Sequence, residues 1–377
     1  MALLQRLLVA LLRVLVAGEH AAGDAMPSPA SGGGGAAVNV EARYARVFCF
    51  GNSLTDTGNN PLLPATAGGP STSPPYGMTF FHRPTGRSSD GRLLIDFIAA
   101  DLLAGANFAV GGATALEPAV LESRGIVSVV PVSLSNETRW FKDTLQLLAS
   151  TTNARRRIAE TSLFFFGEIG VNDYFLALAS NHTVEQAAAT LVPDIVGVIR
   201  SAVIDAIVAG ARTVVVTGMI PLGCEPQLLA LFPAASAADY DPDTGCDARF
   251  NELAEVHNRE LIRMLRRLRR AFPATSLDRS SFGDTPLAAC CGGGNAYNFD
   301  FAAFCTLPAS TVCADPSKYV SWDGIHYTEA VNKFVARSML RGVLPMPNPI
   351  PSPSLSIPLS SSHEHTGQET SRELATL

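Results

Sequence analysis

Four short segments of the chain carry residue types suited to acyl chemistry. Gly51-Asn-Ser53 follows the apolar run Arg46-Val-Phe-Cys-Phe50, so Ser53 stands where a strand hands over to a loop. A serine held there is exposed beside backbone N–H groups that can stabilise an oxyanion, although Gly-Asn-Ser is equally an ordinary turn. Gly111-Gly112 closes a second apolar run, and its missing side chains let a substrate approach the backbone; a plain turn reads the same way. In Gly167-Glu-Ile-Gly-Val-Asn-Asp-Tyr174, Asn172 can aim an amide N–H at a developing negative charge, or Asn172 or Asp173 can cap the helix that follows. Asp323 and His326 flank Gly324 within Ser321-Trp-Asp-Gly-Ile-His-Tyr-Thr328. One turn can then let the carboxylate orient the imidazole, whereas the bland reading is a turn-forming aspartate and a structural histidine. Together these residues offer a nucleophile, a base with its orienting acid, and oxyanion donors; singly, each is weak.

Elements able to position them are visible in the hydrophobic pattern. Arg46–Phe50, Asn107–Val110, Ser162–Phe166 and Thr213–Thr217 read as short buried strands. Helical spacing marks Arg92–Leu103, Pro193–Ala209 and the arginine-rich stretch Asn251–Arg270, whose charges read as a solvated outer face. Continuous apolar strands alternating with helices imply a mostly parallel sheet covered on both faces, a three-layer α/β/α sandwich. Reactive groups in such sheets lie at the carboxyl ends of the strands, where the Ser53, Gly112 and Asn172 segments fall, while Ser321–Thr328 immediately precedes a helix. After Arg270 the alternation asks for a fifth strand, and only the short Ala274–Leu277 is available, so the sheet is expected to lack it.

Composition bounds the rest. The chain has 377 residues, 47% apolar and 16% charged, which excludes a wholly disordered protein. With 28 Lys+Arg against 34 Asp+Glu the net charge is −6, so nucleic acid is not an expected partner. Residues 1–25 read as a signal peptide: Met1 to Ala17 is nearly all Leu, Val and Ala, and with Arg6 and Arg13 inside it is too short and charged for a membrane span. Residues 26–44 read as a flexible linker, 45–344 as one catalytic domain and the Pro/Ser-rich 345–377 as a disordered tail. Secretion would make Asn136 and Asn181 glycan acceptors, since both head Asn-x-Thr triplets. Five of the seven cysteines fall between Cys246 and Cys313 in loop-like sequence, which suits disulfide staples of undetermined pairing. No C-x₂-C pair suggests zinc, and Cys49 reads as a buried thiol.

The order Gly51-x-Ser53, Gly112, Gly170-x-Asn172, Asp323-x-x-His326 resembles the plant GDSL esterase/lipase family within the SGNH hydrolases. Flanking text agrees: Phe48-Cys-Phe-Gly-Asn-Ser-Leu-Thr-Asp-Thr-Gly-Asn59, Ser89-Asp-Gly-Arg92, Asn107-Phe-Ala-Val-Gly-Gly-Ala-Thr114, Pro221-Leu-Gly-Cys224, Asp239-Tyr-Asp-Pro242 and Cys290-Cys-Gly-Gly293. The resemblance spans Arg46 to Leu344. It implies an SGNH (flavodoxin-like) fold, with Ser53 as nucleophile, His326 as general base and then acid, and Asp323 as the group orienting His326. It also implies an oxyanion hole from the Ser53 and Gly112 N–H groups and the Asn172 side chain. Neither metal nor organic cofactor is implied, and the partner is a small-molecule ester, a lipid or an acetylated carbohydrate.

Four departures qualify the resemblance, one of them Val171 where many relatives carry a second Gly, with Gly-x-Asn-Asp intact. Asn52 stands where the family carries Asp, a Pro-rich loop is missing between Leu103 and Asn107, and the fifth strand with its helix is missing after Arg270. The competing readings are therefore a carbohydrate acetylesterase and a catalytically impaired binding relative.

Overall fold

A computed structural model of the protein describes residues 44–99, 104–268 and 287–342. The signal peptide, most of the linker, the Ala274–Leu277 segment and the tail lie outside the described residues. In chain order the elements are β1 (Arg46–Phe50), α1 (Leu94–Ile98), β2 (Gly105–Asn107), α2 (Pro118–Glu122), α3 (Leu134–Leu148), α4 (Thr152–Glu160), β3 (Ser162–Phe166), α5 (Val171–Ala179), α6 (Val184–Thr190), α7 (Val192–Ala209), β4 (Thr213–Val216), α8 (Pro226–Leu231), α9 (Ala248–Leu268), β5 (Cys291–Gly292), β6 (Thr311–Val312) and α10 (Glu329–Gly342).

Among the described residues the main sheet has the order β2-β1-β3-β4, every pair parallel. Alternate side chains sort into two cores. Phe48, Phe50, Phe164 and Phe166 pack with the buried faces of α3, α7 and α9, while Val47, Cys49, Leu163 and Phe165 pack with Ile95 and Ile98 of α1 and Ala336 of α10. The strands are therefore apolar on both faces, as a parallel sheet between two helical layers requires. The aromatic side is dense: Phe50 stacks on Phe166 with centroids 4.5 Å apart, and Phe141 of α3 meets Phe48 edge-on at 5.2 Å.

β1 and β3 coincide with the expected apolar runs, but β2 does not. Asn107–Val110 was the expected strand, yet the paired residues are Gly105–Asn107. Glycine at 105 permits this, because its backbone has φ +145° and a Cβ there would lie 2.0 Å from the Val47 carbonyl oxygen. A Gly-Ala-Asn stretch carries no strand signal, whereas Phe108 and Val110 still donate to the Cys49 and Gly51 carbonyls and carry the chain on past the β1 end. Of the expected helix Arg92–Leu103, Leu94–Ile98 is helical and residues 100–103 lie outside the described residues.

Register sets the functional edge. Phe50 faces Phe166, and Phe166 faces Val216, so the segments leaving β1, β3 and β4 emerge at one level. β1 is central and the chain runs from it first to β2 on one side and later to β3 on the other, which makes its carboxyl end the switch point of the sheet.

Candidate active site

Ser53 leaves β1 at that switch point, and His326 meets it from the other end of the domain. Ser53 Oγ lies 2.9 Å from His326 Nε2, and His326 Nδ1 lies 2.8 Å from Asp323 Oδ2 and 3.0 Å from Oδ1. Exposure is graded along this line, with the Asp323 side chain fully buried and that of His326 12% exposed. Asp323 is formed into its turn by accepting from the Ile325 and His326 N–H groups at 3.0 and 2.9 Å. Burial alone would push its carboxyl up. The charge and hydrogen bond of His326, the Tyr76 hydroxyl and the Ile325 N–H outweigh burial and hold it below the ordinary range.

The turn is fixed by a disulfide-bearing unit. Cys290–Cys313 and Cys291–Cys305 join β5, β6 and the loop between them, and Cys290 and Cys291 donate to the Ser321 and Trp322 carbonyls. The third bridge, Cys224–Cys246, ties the loop after β4 to the approach to α9, and Cys49 is free and buried.

Gly112 and Asn172 flank the same edge. Gly112 has φ +81°, and a Cβ there would sit 2.6 Å from Val130 Cγ2, so only glycine fits. Asn172 Nδ2 donates to the Ala113 carbonyl at 2.8 Å, which holds its amide against the Gly111–Ala113 turn and leaves a second amide hydrogen. Neither Asn172 nor Asp173 caps α5, whose N-cap is Gly170. Asp173 instead accepts from the Ala115 and Leu116 N–H groups, and burial pushes its carboxyl up to about 7. No protein acceptor among the described residues takes the N–H of Ser53 or Gly112. Ser53, Gly112, Asn172, Asp323 and His326 thus share one edge of the sheet.

Several contributors carry no signal of their own in the sequence. Asp56 accepts from the Gly58, Asn59, Asn60 and Gly111 N–H groups, so a single carboxylate sews the Ser53 loop to the Gly111–Gly112 turn. Asn59, Asn60 and Asn107 add side-chain bonds across the same seam. Asp56, Asn59 and Asn107 lie inside motifs quoted above and Asn60 directly follows one, so only the motif as a block could have found them. Asn52 donates to Glu168 Oε2 and accepts from the Leu54 N–H, and Glu168 Oε1 accepts from the Val171 N–H, which links the Ser53 loop to the start of α5. Burial pushes Glu168 up to about 8 despite these donors. Glu225 is likewise pushed to about 8 by burial, partly offset by the Tyr327 hydroxyl.

This arrangement can abstract a proton from Ser53, hold the resulting imidazolium against a buried carboxylate, and offer N–H donors to an oxyanion. Among the described residues there is no group of three or more His, Cys, Asp and Glu side chains able to hold a metal ion.

Comparison with known proteins gives the same direction. Two GDSL esterase/lipases of Arabidopsis thaliana, At2g27360 and At1g28590, are each 39% identical to this chain, over 339 and 343 residues. The alignments cover 81% of this chain and 86% and 84% of the relatives. The family model for GDSL-like lipase/acylhydrolase matches residues 47–339. The chain therefore belongs to the GDSL-like lipase/acylhydrolase family.

Proposed function

We propose that this protein hydrolyses carboxylic esters by acyl transfer through Ser53. The observation that carries the reading is the unbroken line from Ser53 Oγ to His326 Nε2 at 2.9 Å and from His326 Nδ1 to Asp323 Oδ2 at 2.8 Å. His326 Nε2 takes the Ser53 proton as Oγ bonds to the ester carbonyl carbon. The carbonyl oxygen becomes an oxyanion facing the Ser53 and Gly112 N–H groups and the Asn172 amide. The tetrahedral centre collapses, the C–O bond to the alcohol breaks, and the imidazolium gives its proton to the departing oxygen. Water repeats the sequence on the acyl-enzyme, with His326 again taking and returning the proton, and the free acid leaves.

Asn52 supports hydrolysis over an inert relative, because its amide is partnered at both ends and ties the loop carrying Ser53 to Glu168. The apolar leader and the Asn181 triplet support a secreted glycoprotein: Asn181 is exposed in a turn, whereas Asn136 sits in the first turn of α3 with its side chain bonded to Ser133. No helix among the described residues is long and apolar enough to cross a membrane.

The test is hydrolysis of p-nitrophenyl acetate, butyrate and palmitate by the wild type and Ser53→Ala. Turnover by the wild type, with Ser53→Ala lower by at least about a thousand-fold, is the expected result. Equal rates would overturn the reading, and the acyl-length preference separates acetyl from lipid substrates.

A further inference from the structure

Asp323 receives one donor from outside its own turn. The Tyr76 hydroxyl donates to Asp323 Oδ2 at 2.6 Å, across 247 residues of chain, and Oδ2 is the oxygen nearer to His326 Nδ1. Tyr76 is 1% exposed, and its ring meets Trp322, the residue before Asp323, edge-on at 5.7 Å. Its loop is anchored on both sides of the turn. Gly77 and Thr79 donate to the Ser89 and Asp90 carbonyls, while Asp90 and Arg92 hold the N–H and carboxylate of Glu329 at the start of α10. The hydroxyl thus has a fixed place, and neither the Ser53 loop nor the oxyanion segments supply it.

We propose that Tyr76 is a positioning residue which draws charge from the Asp323 oxygen facing His326 and so sets how strongly Asp323 holds the imidazolium. The inference rests on the esterase reading above and adds a control to it. A carboxylate oxygen shared between two donors attracts the second less than one bonded to it alone. Removing the hydroxyl leaves His326 as the sole partner of Oδ2, favours the protonated imidazole, and makes His326 a base only at higher pH. It also frees the carboxylate to rotate, because Oδ2 loses one of its two restraints. Other titratable groups around the turn are Glu225 ahead of α8, Glu168 at the end of β3 and Tyr327 beside His326, while Ser53 of the β1 loop hydrogen-bonds His326. All of them persist when Tyr76 loses only its oxygen.

Tyr76→Phe keeps the ring against Trp322 and deletes that oxygen. Two readouts are compared with the wild type: the His326 titration followed by imidazole ¹⁵N NMR, and kcat/KM for p-nitrophenyl acetate against pH. We expect the NMR midpoint and the acid limb to rise together by about one pH unit. We also expect kcat to fall about ten-fold with KM unchanged. A merely structural loss lowers the folded fraction without moving the midpoint, so an unmoved titration in folded protein overturns the proposal. The NMR readout keeps two failures apart. A shifted midpoint in a protein that hydrolyses no ester retains the Tyr76–Asp323–His326 coupling and overturns the esterase reading. Hydrolysis with coincident profiles does the reverse. Should Tyr76→Phe not fold, 3-fluorotyrosine at position 76, a stronger donor, carries the test with opposite sign: the midpoint must fall, and a static one overturns the proposal.

Discussion

Asn52 shows how one atom substitution changes a site without disturbing its shape. Its amide suits both neighbours, with Nδ2 toward the Glu168 carboxyl and Oδ1 toward the Leu54 N–H. Asn52→Asp would set a second carboxyl against buried Glu168, and two such groups share one proton because both cannot ionise. Activity of Asn52→Asp should match the wild type near pH 6 and fall behind it as pH rises toward 9, read from paired kcat/KM profiles. A constant ratio across that range would show that Glu168 does not sense position 52. The sequence marks Asn52 as a departure from the family, but its partner is 116 residues away and no local pattern reveals it. Tyr76 is hidden for the same reason: its neighbours are prolines, glycine and threonine, which read as loop.

Among the elements, legibility follows how strands earn their place. β1 and β3 each carry four apolar residues in a row, Val47–Phe50 and Leu163–Phe166, buried on both faces, and that run is the signal that makes them readable. β2 is held by backbone pairing beside a glycine, a feature with no hydrophobic period. The seam between the β1 loop and the Gly111–Gly112 turn is equally silent, since it consists of side chain to backbone bonds centred on Asp56. Asp56→Ala removes an acceptor from four N–H groups in a buried place and should cost on the order of 3 kcal/mol. Urea unfolding measures that loss. Residual activity per folded molecule should also drop, because Gly112 is no longer tied to the Ser53 loop; intact activity would mean the turn holds itself.

At the scale of the whole molecule, the interior behind the site is rich in carboxyls whose ionisation burial opposes. Glu168 and Glu225 are pushed from 4.5 to about 8 and Asp173 from 3.8 to about 7, all chiefly by burial. A raised folded value gives stability that is complete below the unfolded value and is lost as pH climbs through the folded one. Buried His257, pushed down to about 4, acts oppositely, but its contribution is already complete above about 6.5. Between pH 6.5 and 8.5 only the carboxyl effect remains, so Tm should fall steadily across that window. A flat or rising Tm by calorimetry would mean these groups ionise freely in the fold. Motif order makes the meeting of Ser53 and His326 legible, because both belong to one family pattern. The acidic interior is not legible, since Glu168 and Glu225 look like any surface glutamates until the sheet encloses them.

Ser53 and His326 touch across 273 residues of chain. Contacts of that span form late in folding, because the entropy of closing so long a loop is recovered only once the intervening sheet exists. Under the proposed mechanism a nascent chain presents Ser53 before its base and gains hydrolysis only once the His326 segment has emerged and docked. During refolding, recovery of hydrolysis is expected to report the joining of the Ser53 and His326 segments.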